Sequence, residues 1–220
     1  MMSVLYHAAD RAVNVSALVQ CCPNVVVLDL EESVARENLP KARAMLEDQC
    51  ITLFALNCLI AVRVNGYDSY EFHNDISALS ALPDSVIGIL PKPVTSEALS
   101  EFTAFGQRPI WCMGEEARVG ERLEALKADH TRLETIMIGI KDLALDLDIP
   151  FDPNAPALRH AANAIRSVAQ ALGLQVIDGM AFGDESQVRR SFQQAQDNQF
   201  DGVSYMRMRD LTLNFDAQRS

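Results

Sequence analysis

Short apolar, β-branched runs recur along the chain, and each is followed by a stretch in which apolar residues fall three and four apart. The runs are SVLYH (3–7), NVVVLDL (24–30), IAVRVN (60–65) and VIGILPK (86–92), then PIWCMGE (109–115), TIMIGI (135–140), LQVID (174–178) and GVSYM (202–206). Their length and β-branched content predict strands, and the unbroken run from Val25 to Leu28 predicts one buried on both faces. Helices are predicted between them. The clearest patterns are LPKARAMLEDQC, ALRHAANAIRSVAQALG ending at Gly173 as a C-cap, and DESQVRRSFQQAQDNQ with its acidic first turn.

Eight strands alternating with helices imply parallel pairing, because each crossover needs a helix. Eight such units in 220 residues predict a single-domain (β/α)8 TIM barrel covering residues 1–220. The competing fold is an open doubly wound sheet. One that binds a nucleotide carries a glycine-rich turn after its first strand, and LYHAADRAV has no glycine.

Composition adds three constraints. With 49% hydrophobic residues the chain can build a sizeable core. A net charge of -11 argues against nucleic acid or an anionic membrane as partner, and an anionic small substrate would need a local positive group. The five cysteines have no C-x-x-C spacing and fall mostly in apolar runs, so buried reduced thiols are expected. MMSVLYHAAD lacks the features of a signal peptide, and no apolar run approaches the ~20 residues that span a bilayer. A cytoplasmic location is the expectation.

In this barrel fold, reacting groups sit at the C-terminal ends of the strands. Asp29, Glu31 and Glu32 end the second strand, Arg63 and Asn65 the third, Lys92 the fourth, and Glu115 and Glu116 the fifth. Lys141 and Asp142 follow the sixth, and Asp178 ends the seventh. The opposite strand ends are bland. Each polar group also has an ordinary role open to it. Asp29, Glu32 or Asp142 could cap helices, Arg63 could be an ion-pair partner, and Lys92 could snorkel to solvent. The set is more telling than any member, since all would meet at one mouth. Carboxylates with room for water suit Mg²⁺ rather than zinc, and the four histidines are scattered. His73 and His160 fall in predicted helices and read as structural.

These segments resemble a known family. VVVLDLEESVARENLPKARAML is similar to the D-L-E-D-x-V signature of citrate lyase β-subunit-like proteins of the HpcH/HpaI aldolase superfamily. VRVN (62–65), ILPKP (89–93), MGEEARVG (113–120), IGIKDLALDL (138–147) and VIDGM (176–180) follow in the family's order. The chain departs from the pattern at Glu32 (an Asp in the family), at His7 (a strand-one proline) and in M-G-E-E (I-E-T). The late strand-eight pattern also lacks its lysine, histidine and proline.

The resemblance implies a TIM barrel with Mg²⁺, or Mn²⁺ in its place, held by Glu115 and Asp142. Arg63 would contact the substrate carbonyl or carboxylate and stabilise an enolate. Asp29, Glu31 and Glu32 would line the site, Asp29 or Glu32 relaying protons, with Asn65 and Lys92 as further substrate contacts. The implied reaction is carbon–carbon cleavage of a citryl- or malyl-like coenzyme A or acyl-carrier thioester, or of a related hydroxy or keto acid. Hydrolysis or condensation of such a thioester on the same barrel is the alternative, and a non-catalytic subunit the rival from another class. A homo-oligomer is expected.

Overall fold

The computed structural model describes residues 1–179 and 183–219. Eight strands run in chain order: β1 (Met2–Ala8), β2 (Val25–Asp29), β3 (Leu59–Arg63), β4 (Ile87–Leu90), β5 (Ile110–Gly114), β6 (Leu133–Ile138), β7 (Gln175–Asp178) and β8 (Gly202–Tyr205). All neighbours pair in parallel, and β8 returns to β1 to close the barrel. The predicted closed fold is therefore the observed one. The strand at 86–92 is shorter than expected: Pro91 and Pro93 carry no backbone N–H, so β4 stops at Leu90.

The helices are α1 (Val15–Cys21), α2 (Leu39–Ala55), α3 (Phe72–Ser80), α4 (Ser96–Thr103) and α5 (Val119–Asp129). They continue with α6 (Ile140–Asp146), α7 (Pro156–Ala171), α8 (Glu185–Asp197) and α9 (Met208–Arg219). In α7, Leu158, Ala162, Ile165 and Ala169 form the buried stripe that packs on β6 and β7. Burying Leu158 and Ile165 stabilises the fold by ~1.5–3 kcal/mol each. The helix ends where predicted, with Gly173 at φ +75. Asp184 and Gln187 form a reciprocal capping box at the start of α8. No helix among the described residues is long and apolar enough to cross a membrane. Cys21, Cys50 and Cys112 are buried as expected, whereas Cys22 is exposed.

The period of two along each strand places the site. Val25 and Val27 of β2, Ala61 of β3, and Trp111 and Met113 of β5 fill the barrel interior. Asp29, Arg63 and Glu115 are the next members of those same inward series. A column that is apolar for most of its height thus ends, at the C-terminal mouth, in charge.

Candidate active site

Asp29 and Arg63 are direct partners in the β2–β3 ladder, and both are buried. Arg63 Nε donates to Asp29 Oδ1 at 2.7 Å and Nη2 to Oδ2 at 2.8 Å, a bidentate fork. The same carboxylate accepts from the Glu31 and Ser33 N–H groups, each at 3.1 Å, and from Ser33 Oγ at 2.5 Å. Burial opposes ionisation of Asp29, but the Arg63 charge and these donors outweigh it and hold its carboxyl below the usual range. A carboxylate so occupied fixes Arg63, and its surroundings favour the ionised form over the relay role expected of Asp29.

The remaining edge of Arg63 faces the mouth. Nη1 lies 2.9 Å from Glu31 Oε2, and Nη2 is 3.7 Å from Glu32 Oε2. Burial pushes Glu31 up to about 8, the Glu115, Asp29 and Glu32 charges adding to it and Arg63 opposing. Glu31, which the sequence marks only as a substrate contact, is thereby brought into the range of an acid–base group. Glu32 is half-exposed at the rim.

Across the mouth, Glu115 and Asp142 line the same small cavity as Tyr6, Glu32, Arg63 and Gly139, about 30 Å³ in volume. Glu115 is 3% exposed and is raised to about 7, first by burial and then by the Asp142 charge. Its Oε2 accepts the Lys92 backbone N–H at 3.3 Å. Lys92 Nζ lies 2.9 Å from Asp142 Oδ1, so Lys92 is an ion-pair partner within the site rather than a lysine that merely snorkels. Gly139 makes this arrangement fit, since a Cβ there would lie 2.3 Å from Glu115 Cγ.

Among the described residues, no three His, Cys, Asp or Glu side chains gather closely enough to cage an ion. Glu115 and Asp142 nonetheless fit a hard divalent cation. They are oxygen donors whose mutual repulsion already raises Glu115, and an ammonium stands beside one of them. Two protein carboxylates leave the rest of an octahedral shell to water and substrate, as Mg²⁺ prefers.

Other expected members lie elsewhere. The Asn65 side-chain amide donates to Leu30 O at 2.9 Å and to Asp75 Oδ2 at 2.7 Å, beside the Arg43–Asp75 ion pair. Both amide protons are spent bracing the loop after β3, and Asn65 does not line the cavity of Glu115 and Asp142, where a substrate contact is expected of it. Glu116 pairs with Arg122, and Asp178 with Arg159. Met180 of the VIDGM segment lies outside the described residues.

Tyr6 was absent from the expected site although it lines the cavity. Its ring lies under Arg63, 4.9 Å from the guanidinium carbon, and its hydroxyl contacts Met113 Sδ at 3.6 Å. The available signal was parity, since Tyr6 follows Val4 on the inward face of β1 while His7 points out to Arg11 O.

Raised carboxyl groups have a thermodynamic consequence. Glu31 and Glu115 hold protons more tightly folded than unfolded, where both titrate near 4.5. Their contribution to stability is therefore full below pH 4.5 and is lost as pH rises through 7 to 8, at up to ~1.4 kcal/mol per pH unit per group. In chelator, the melting temperature is expected to fall from pH 5 to pH 8 and then level. A profile flat across that window would reject the buried, protonated pair.

The chain is similar to several known proteins. The chain is 29% identical over 214 residues to a (3S)-malyl-CoA thioesterase of Cereibacter sphaeroides, spanning 96% of this chain and 74% of that protein. It is 27% identical over 203 residues to the citrate lyase subunit beta of Leuconostoc mesenteroides subsp. cremoris, spanning 86% and 67%. The fold matches the CitE protein of Mycobacterium tuberculosis, solved in complex with magnesium, acetoacetate and coenzyme A. That match has a TM-score of 0.79 and 22% identity, covering 100% of this chain and 81% of the other. Residues 2–208 match the family model for HpcH/HpaI aldolase/citrate lyase, and the chain belongs to that family.

Proposed function

We propose that this protein is a Mg²⁺-dependent carbon–carbon lyase acting on a malyl- or citryl-like acyl thioester through an enolate. The observation that carries the reading is the Nη1 edge of Arg63, which the Asp29 fork leaves to the mouth. Asp29 fixes it, Glu31 faces it, and Glu115 and Asp142 line the same cavity. Glu115 and Asp142 would hold the ion, which supplies Lewis-acid polarisation of a substrate oxygen.

The chain's own groups carry the proton and the charge. Ionised Glu31 takes the proton of the substrate's hydroxyl, whose O–H pair becomes the new C=O as the carbon–carbon bond breaks. The electrons of that bond move onto the thioester carbonyl oxygen, to which Arg63 Nη1 donates. Glu31 then returns the proton to the enolate carbon. A group raised to about 8 can both accept and release a proton near neutral pH. Tyr6 and Met113 form an apolar floor that favours fixed dipoles over bulk water.

Hydrolysis is the second reading, favoured by the thioesterase relative. Here water replaces the carbon–carbon step, and Arg63 holds the tetrahedral oxyanion instead of the enolate. Incubation with malyl-, citramalyl- and citryl-coenzyme A in Mg²⁺ separates the two. A lyase yields an oxo acid and a shorter acyl thioester with no free thiol, whereas a hydrolase yields the intact hydroxy acid and one free thiol per turnover. The expected result is oxo acid without thiol. No turnover on any of them, with binding indifferent to substitution of Arg63 or Glu115, would leave a non-catalytic role.

A further inference from the structure

Lys92 reaches both Glu115 and Asp142. Its backbone N–H donates to Glu115 Oε2, and its ammonium lies 2.9 Å from Asp142 Oδ1. The main chain is therefore tied to one ligand while a four-carbon stem with a half-exposed head carries the charge to the other. Two cations cannot share one carboxylate oxygen without strong repulsion. The ion pair is partly solvated, so breaking it costs little.

We propose that Lys92 is the resident counter-ion of Asp142, that it yields this carboxylate when a divalent cation enters, and that its freed ammonium then anchors an anionic substrate. The proposal rests on Glu115 and Asp142 being the cation's ligands. It makes Lys92 a positioning residue that orders events, the cation first and the acid after. Because the backbone stays on Glu115, the movement is confined to the side chain. The freed head remains in the field of Glu31 and Glu115, at the mouth.

Three readouts test it, none of which requires turnover. In calorimetric titration without ligand, Lys92→Met is expected to bind Mg²⁺ at least roughly threefold more tightly than wild type, its competitor being gone. In saturating Mg²⁺ the same variant is expected to bind malate more weakly by a similar factor, roughly threefold. On wild type, amine acylation read by peptide mass spectrometry reports the movement directly. The chain's lysines are Lys41, Lys92, Lys127 and Lys141, and Mg²⁺ is expected to speed labelling of Lys92 but not of Lys41 or Lys127. Unchanged Lys92 labelling, with Mg²⁺ still bound, overturns the exchange and leaves the metal site standing. Malate binding unaffected by Lys92→Met overturns the anchor. Absence of Mg²⁺ binding in both proteins overturns the exchange and the metal site together.

Discussion

Lysine at position 63 is expected to lower turnover by about 10²–10³ while leaving the barrel folded. Arg63 spends two donors on Asp29 and still presents Nη1 to the mouth. Lysine keeps the charge that the buried Asp29 requires, but its compact ammonium cannot grip one carboxylate and serve a second oxyanion. The loss should appear in kcat more than in KM, because the missing donor matters most where negative charge develops. Alanine is the less informative change. It leaves Asp29 buried without its counter-charge, at ~3–5 kcal/mol, and mixes unfolding with lost chemistry. Rates on the thioester that is turned over, together with a melting curve for each variant, distinguish these cases. Undiminished turnover in Arg63→Lys would remove Arg63 from the mechanism.

Gly139→Ala is expected to weaken Mg²⁺ binding by roughly 10–100-fold. The new Cβ would fall 2.3 Å from Glu115 Cγ and 2.4 Å from its Oε1, so the carboxylate must leave its place. The backbone at Gly139, φ -87 and ψ 80, does not require glycine, so the effect comes through Glu115 rather than strain. Gly120→Ala is the control, since a Cβ there meets nothing nearer than Val168 Cγ2 at 3.9 Å. Calorimetry with Mg²⁺, or paramagnetic resonance with Mn²⁺, reads the difference. Equal affinity in Gly139→Ala and Gly120→Ala would mean that Glu115 is not a ligand.

What the chain revealed in advance follows from how far each signal reaches. The run from Val25 into Asp29 announced both a buried strand and a charged strand end, since period and composition are local. Closure into a barrel was also legible, because eight repeated units allow few parallel arrangements. Asn65 was misplaced because it shares the parity of Arg63, whereas β3 ends at Arg63 and Asp75 on α3 captures the Asn65 amide. Nothing near Asn65 in the sequence announces that partner ten residues on. Glu31 and Asp29 could not be told apart in the sequence for a similar reason. Which of two neighbouring carboxylates stays ionised depends on the donors around each, and these are set by the turn through Ser33. Tyr6 has only its place in the SVLYH strand to mark it, and the guanidinium above it comes from β3, more than fifty residues away.

The direct pairing of Asp29 with Arg63 across β2 and β3 also bears on how the barrel finds its alignment. Sliding either strand by one residue would send one of the two side chains into the apolar helix layer, leaving both charges buried and alone. Runs such as Val25–Leu28 and Ile60–Val62 tolerate such a slip, because each is apolar on both faces. The ion pair does not. Chains in which this hairpin-less pair of strands docks wrongly therefore carry a penalty of several kcal/mol, and only the correct alignment relieves it. The charges that equip the mouth for chemistry thus serve, during folding, as the pin that keys two otherwise interchangeable strands.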